Sequence, residues 1–71
     1  MEKPDWSFLI KSLLSEKGFT EKSIADRVET SQATINYLKK GSIQEAKYST
    51  GVMLIALCIT NGIPIKTKNL S

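Results

Sequence analysis

The 71-residue sequence contains no histidine and only one cysteine, Cys58. A single cysteine excludes an intramolecular disulfide bond, and the lack of histidine excludes a zinc site built from cysteine and histidine. Cys58 lies inside the apolar run VMLIALCI, which favours a small buried side chain over a reactive nucleophile. Histidine is also the side chain that most often serves in general acid–base catalysis. The sequence therefore predicts neither an enzyme nor a metal or cofactor site.

The sequence also lacks a long apolar segment. Its longest apolar run covers residues 52–59, whereas a helix needs about 20 apolar residues to cross a bilayer. The opening residues MEKPDWSF show no apolar run after the lysine, so we expect no signal peptide. These absences predict a cytoplasmic protein with no membrane partner.

Charge and length set broad limits on partners and organisation. The net charge of +3 and the pI near 9.2 are compatible with nucleic-acid binding but do not demand it. The length predicts a single domain over 1–71. A domain of this size buries only about 60% of its unfolded surface, so dimerisation would add stability.

The first helix is predicted over about 5–17. Apolar residues recur from Trp6 onwards at intervals of three and four, which is one stripe of an amphipathic helix. Asp5 is the expected N-cap, and Gly18 is expected to end the helix in a left-handed conformation.

The segment over about 50–61 is apolar on almost every side, whereas a surface helix shows a single apolar stripe. We expect Ser49 or Thr50 to cap this fourth helix. The excess of apolar surface indicates either a central core helix or contact with a second copy of the chain. The tail 63–71 is expected to be extended. The candidate dimer interface consists of Val52, Ile55, Ile59, Ile63 and Ile65.

Two short helices are predicted in the middle of the sequence. Thr20 is the expected N-cap of a helix over about 21–28. Ser31 is the expected N-cap of a third helix over about 32–40, which ends at Gly41. The few residues between them allow only a tight turn. Two short helices joined in this way cross steeply, as in a helix-turn-helix.

The predicted third helix separates apolar from polar side chains. At about 100° per residue, Ile35 and Leu38 share one side of the helix with Thr34 beside them. Asparagine and glutamine can pair with adenine in the major groove, and lysine can neutralise phosphates. Side chains that only keep a surface helix solvated are the alternative interpretation. The opposite side holds Gln32, Ala33, Asn36, Tyr37 and Lys40.

The stretch TEKSIADRVETSQATINYLKKG resembles the helix-turn-helix of the Cro/repressor-type family of phage and bacterial regulators. That family approximately follows T-x-x-x-[LI]-A-x-x-[LV]-G-[VI]-S-x-x-[TS]-I-x-x-[WL]-x-x-G. Ala25 matters because a small side chain lets the two helices cross closely. The resemblance implies a lambda-repressor-like, all-α domain of four to five helices with a central helix-turn-helix over 20–41. The matching residues are Thr20, Ile24, Ala25, Val28, Ser31, Thr34, Ile35, Leu38 and Gly41.

Three residues depart from the family pattern. Glu29 stands where the family usually has glycine and must accept an unusual φ angle. Thr30 replaces an apolar turn residue. Glu21 stands where many members have a glutamine that contacts a phosphate, and we do not transfer that contact because a carboxylate repels phosphate. Glu21, like Glu16 and Asp26, is expected on a solvated face without the paired partner that general acid–base catalysis would need.

The resemblance implies a sequence-specific, double-stranded DNA-binding transcriptional regulator of the bacterial cytoplasm or nucleoid, repressor- or Cro-like. It would insert the third helix into the major groove as a homodimer on a palindromic operator. We expect no cofactor, and no small-molecule effector in so small a chain. A helix-turn-helix used for protein interaction, as in an antitoxin or adaptor, is the alternative. The residues expected to face bases are Gln32, Ala33, Asn36 and Tyr37. Those expected to contact phosphates are Thr20, Lys22, Ser31, Lys39, Lys40, Ser42 and Lys47.

Overall fold

Four helices pack around one core, and a short two-stranded sheet joins the two ends of the chain. The computed structural model describes residues 2–43 and 45–69. The predicted small all-α domain is confirmed, with the sheet as an addition that the sequence analysis did not predict. The elements are β1 (Glu2–Pro4), α1 (Trp6–Glu16), α2 (Glu21–Arg27), α3 (Gln32–Lys40), α4 (Tyr48–Thr60) and β2 (Thr67–Asn69).

The first three helices begin at the caps that the sequence predicts. Asp5, Thr20 and Ser31 each accept a hydrogen bond from the backbone N–H three residues further on. At α2 the cap is reciprocal, because Ser23 Oγ accepts from the backbone N–H of Thr20 at 2.8 Å. Gly41 ends α3 with a φ of 82°. Local side-chain chemistry therefore sets these boundaries.

The start of α4 differs from the prediction. The helix begins at Tyr48 after Lys47, whose side chain makes no capping hydrogen bond, so neither Ser49 nor Thr50 is the cap. Thr50 and Gly51 are buried instead, which indicates that packing of the first turn sets this boundary. No helix among the described residues is long and apolar enough to span a bilayer.

The apolar side of α3 is packed into the core. Ile35 and Leu38 are almost completely buried, as predicted, and α3 packs against both α1 and α2. Ser7 on α1 donates its hydroxyl to the carbonyl oxygen of Lys39 at 2.7 Å, which satisfies a free carbonyl in the last turn of α3. The buried hydrophobic residues are Trp6, Leu9, Ile10, Leu13, Ile24, Ala25, Val28, Ile35, Leu38, Leu54, Cys58 and Ile63.

The extended tail pairs with the beginning of the chain. β2 lies antiparallel to β1, with Lys3 opposite Lys68 in the register. The backbone N–H of Asp5 continues this pairing by donating to the carbonyl oxygen of Lys66 at 2.8 Å. Within the tail that was expected to be extended, Thr67–Asn69 forms a strand, and residues 70 and 71 lie outside the described residues. Ile63, at the start of the tail, belongs to the core.

The turn between α2 and α3 depends on a left-handed residue. Glu29 has a φ of 55° and is the one non-glycine residue with a positive φ in the described part of the chain. The N–H of Thr30 donates to the carbonyl oxygen of Ala25 at 3.0 Å and closes the turn. The predicted unusual φ angle is confirmed, and a side chain in this conformation costs about 1 kcal/mol.

Replacing Glu29 by glycine is expected to stabilise the fold. Glycine adopts a positive φ without steric strain, so Glu29→Gly should raise the free energy of unfolding by about 0.5–1 kcal/mol after the greater entropy of the unfolded chain is included. Urea denaturation followed by circular dichroism measures this change. The control Lys11→Gly, at an exposed position inside α1, should lower the same free energy by about 0.5–1 kcal/mol. A lower stability of Glu29→Gly would contradict the assignment of strain to this turn.

Candidate nucleic-acid interface

The side of α3 that faces away from the core is accessible. Gln32, Ala33 and Lys40 are exposed, and Tyr37 is 47% exposed. The two large aliphatic residues of the helix lie on the opposite side, in the core. The structure thus gathers most of the predicted base-contacting residues on one surface. A shallow depression on it is lined by Glu21, Gln32, Ala33, Asn36 and Tyr37.

Asn36, the remaining predicted base contact, is half-buried and bound to Glu21. Its Nδ2 atom donates to Glu21 Oε1 at 3.2 Å and approaches Oε2 at 3.4 Å. Lys39 Nζ lies 2.5 Å from the same Oε2 atom. The expectation that Glu21 would lie on a solvated face is therefore wrong, because its side chain is 19% exposed and is bound by Lys39 and Asn36. The helix crossing brings the first residue of α2 beside the middle of α3, a contact between residues far apart in sequence.

Lys39 and Asn36 keep Glu21 ionised. The hydrogen bond from the Lys39 ammonium group is the main reason that the pKa of Glu21 is below its ordinary value of 4.5. The hydrogen bond from Asn36 and the charges of Lys39 and Lys40 lower the pKa further, while desolvation acts in the opposite direction. The candidate interface therefore carries a fixed negative charge at neutral pH.

The predicted phosphate contacts fall into three groups. Thr20 and Ser31 are exposed, although their hydroxyl groups already accept the capping hydrogen bonds of α2 and α3. Lys39 was predicted to contact a phosphate, but its ammonium group is paired with Glu21 and its side chain is only 27% exposed. The remaining predicted phosphate contacts are exposed and make no ion pair among the described residues; they are Lys22, Lys40, Ser42 and Lys47. Lys47 precedes α4 and belongs to neither helix of the helix-turn-helix.

A second surface of interest runs along α4. Val52 is 48% and Ile59 63% exposed, and Ile55 between them is half-buried. Tyr48, which the sequence analysis did not assign to this surface, is 88% exposed one turn before Val52. We name these four residues of α4 the apolar stripe.

The tail contributes less to such a surface than predicted. Ile63 is 4% exposed and belongs to the core, so its assignment to a dimer interface is wrong. The tail turns back towards β1, and this places Ile63 inside the domain. Ile65 is half-buried and packs against the core.

The described residues contain no group of three or more acidic, cysteine or histidine residues that could hold a metal ion. Cys58 is completely buried, and desolvation raises the pKa of its thiol. A thiol in this environment stays protonated and unreactive at neutral pH.

The chain was compared with protein-family models, with curated proteins and with solved structures, and none of them matches. The resemblance over 20–41 to helix-turn-helix regulators rests on the residues of the motif alone. What bears on function is the chemistry and geometry of the chain's own surface.

Removing Lys39 is expected to raise the pKa of Glu21. Lys39→Met deletes the strongest cause of the lowered pKa, whereas Lys40→Met deletes only the weakest. Carboxyl-detected NMR titration should therefore show a pKa for Glu21 closer to 4.5 in Lys39→Met than in Lys40→Met or the unmodified chain. Equal values in the two variants would contradict the pairing.

The same titration has a consequence for stability. Because the pKa of Glu21 is lowered on folding, its ionised form contributes stability that is complete above pH 4.5 and is lost as the pH falls through the lowered value. This loss at acid pH should be smaller in Lys39→Met than in the unmodified chain.

Proposed function

We propose that this chain is a sequence-specific, double-stranded DNA-binding transcriptional regulator that inserts α3 into the major groove. The observation that most supports the proposal is the accessible side of α3, where amide, methyl, phenol and ammonium groups stand opposite a completely buried aliphatic side. A major groove about 12 Å wide accommodates one α-helix. Gln32 and Ala33, in the first turn of α3, are exposed.

Each exposed group on α3 has a partner in duplex DNA. The Gln32 amide offers the donor and acceptor that pair with adenine, and the Ala33 methyl group fits against a thymine methyl group. Tyr37, which faces the bases in this arrangement, can stack on a base or donate its hydroxyl to a phosphate. Lys40 in the last turn of α3 supplies charge that neutralises the backbone. Base contacts from the first turn and phosphate contacts from the end together define a docking register.

We propose that the regulator acts as a homodimer on a palindromic operator. One recognition helix reads only a few base pairs, and two copies about one helical turn apart supply the missing specificity. The apolar stripe supports this proposal because Tyr48, Val52, Ile55 and Ile59 follow the spacing of four, three and four residues that characterises helix-pairing seams. Such a regulator would work in the bacterial cytoplasm or nucleoid.

A protein-interaction module is the second candidate function. The specific observation in its favour is the ionised Glu21 on the candidate interface, which repels phosphates. Salt dependence separates the two candidates. A DNA reader binds any duplex weakly with steep salt dependence and one sequence much more tightly, whereas an interaction module shows neither behaviour.

Selection of sites from a random duplex library at near-physiological salt tests the main proposal. We expect an enriched palindrome whose half-sites lie about one helical turn apart. Gln32→Ala should lower affinity for this site by about 1–3 kcal/mol and relax the preference at one base pair in each half-site. No enriched sequence would refute the proposed function.

Lys40→Ala is the matched control, because Lys40 is an exposed residue on the same helix. It should weaken binding to cognate and random duplexes alike and reduce the salt slope by about one unit. If Gln32→Ala also weakened both duplexes equally, Gln32 would not be a base contact.

A charge in the apolar stripe is expected to dissociate the dimer. Ile59→Glu places a carboxylate where a partner would bury it, and because Ile59 is 63% exposed the monomer should keep its fold. Sedimentation at micromolar concentration should show a dimer for the unmodified chain and a monomer for Ile59→Glu. Thr60→Glu, at the neighbouring exposed position, should stay dimeric. A monomeric unmodified chain, both free and on DNA, would exclude the homodimer.

A further inference from the structure

The contact between Glu21 and Asn36 restricts which way the Asn36 amide faces. An ionised carboxylate only accepts hydrogen bonds, so the amide nitrogen must point towards it and the amide oxygen must point elsewhere. A rotation of 180° about the last side-chain bond of Asn36 would place two acceptors against each other. The ionised state of Glu21 therefore fixes one of the two amide orientations.

The fixed orientation determines what Asn36 offers to a ligand. One N–H of the amide is engaged by Glu21, which leaves the carbonyl oxygen and the second N–H, an acceptor beside a donor. Adenine presents the complementary pair in the major groove, its N6 donor and N7 acceptor. With the amide fixed, the order of acceptor and donor along the groove is also fixed.

The same carboxylate weakens the electrostatic attraction between the interface and the phosphates of the DNA backbone. The Lys39 ammonium group lies 2.5 Å from Glu21 Oε2, so its charge is compensated within the protein. A compensated cation releases fewer counterions on binding and contributes less to the attraction of any duplex. Glu21 thus lowers sequence-independent affinity while it orients a base-reading amide.

We propose that Glu21 is a specificity-determining positioning residue, whose carboxylate fixes the Asn36 amide for an adenine edge and keeps Lys39 from the phosphates. This inference rests on the proposed DNA-binding function. It assigns to Glu21 a role in discrimination between sequences although Glu21 itself contacts no base.

The test is Glu21→Gln, which preserves side-chain size and removes the charge. A glutamine amide can present either its oxygen or its nitrogen, so Asn36 becomes free to adopt both orientations, and Lys39 is released. Preference at the base pair read by Asn36 should fall roughly tenfold. Affinity for random duplexes should rise, and the salt slope should steepen by about one unit.

Glu29→Gln is the matched control. Glu29 is an exposed carboxylate in the adjacent turn that makes no ion pair or side-chain hydrogen bond among the described residues. Its replacement removes the same charge and should leave the preference at every base pair unchanged. A merely structural role of Glu21 would instead lower the melting temperature and weaken all duplexes together.

The outcomes separate the inference from the proposed function. If the unmodified chain selects a site and Glu21→Gln keeps every base preference, the inference is overturned and the function stands. If the unmodified chain selects no site, the function fails and the inference fails with it.

A readout without DNA tests the orientation alone. The NMR signals of the Asn36 side-chain amide should shift with the ionisation of Glu21 below pH 4.5 and lose this dependence in Glu21→Gln. Amide signals that do not change as Glu21 ionises would overturn the fixed orientation, independently of the result of the DNA-binding experiments.

Discussion

The tight turn between α2 and α3 is the constraint on which the rest of the surface depends. Glu29 adopts a left-handed conformation that turns the chain between the two helices. The hydrogen bond from the Thr30 N–H to the Ala25 carbonyl oxygen closes this turn. With the turn closed, the buried side of α3 faces α1 and α2, and its polar side is left open. The first residue of α2 then meets the middle of α3, so the same reversal creates both the exposed face and the Glu21 contacts.

Much of the fold follows from signals that are local in sequence. The bounds predicted for the third helix agree with those of α3 because Ser31 and Gly41 mark its ends within a few residues. The left-handed conformation of Glu29 was expected from the resemblance instead, because the family usually has glycine at that position. The start of α4 was not predicted, because no side chain caps it and the burial of Thr50 becomes visible only once the core is assembled.

The features missed in the candidate site have long-range causes. The pairing of β1 with β2 joins the two ends of the chain through three residues on each side, too few to form a recognisable pattern. With the tail paired in this way, Ile63 lies in the core and not at the predicted dimer interface. Glu21 and Lys39 are 18 positions apart, and their contact follows from the angle at which α2 crosses α3. Residue type identified the polar face of α3, but only packing shows which of its groups are already engaged.

If the chain binds DNA as proposed, the Glu21 contacts would set a balance between attraction to phosphates and discrimination between base sequences, on a chain whose net charge is only +3. Attraction to phosphates acts on every duplex equally, so a cation removed from the interface lowers binding to competing sequences as well as to a preferred one. A fixed amide improves only the match to one base edge. In the proposed regulator, a carboxylate beside α3 would therefore oppose DNA binding in general and favour a single sequence in particular. On this reasoning, a negative charge on the candidate interface is compatible with a DNA reader, provided that it orients a group that reads bases.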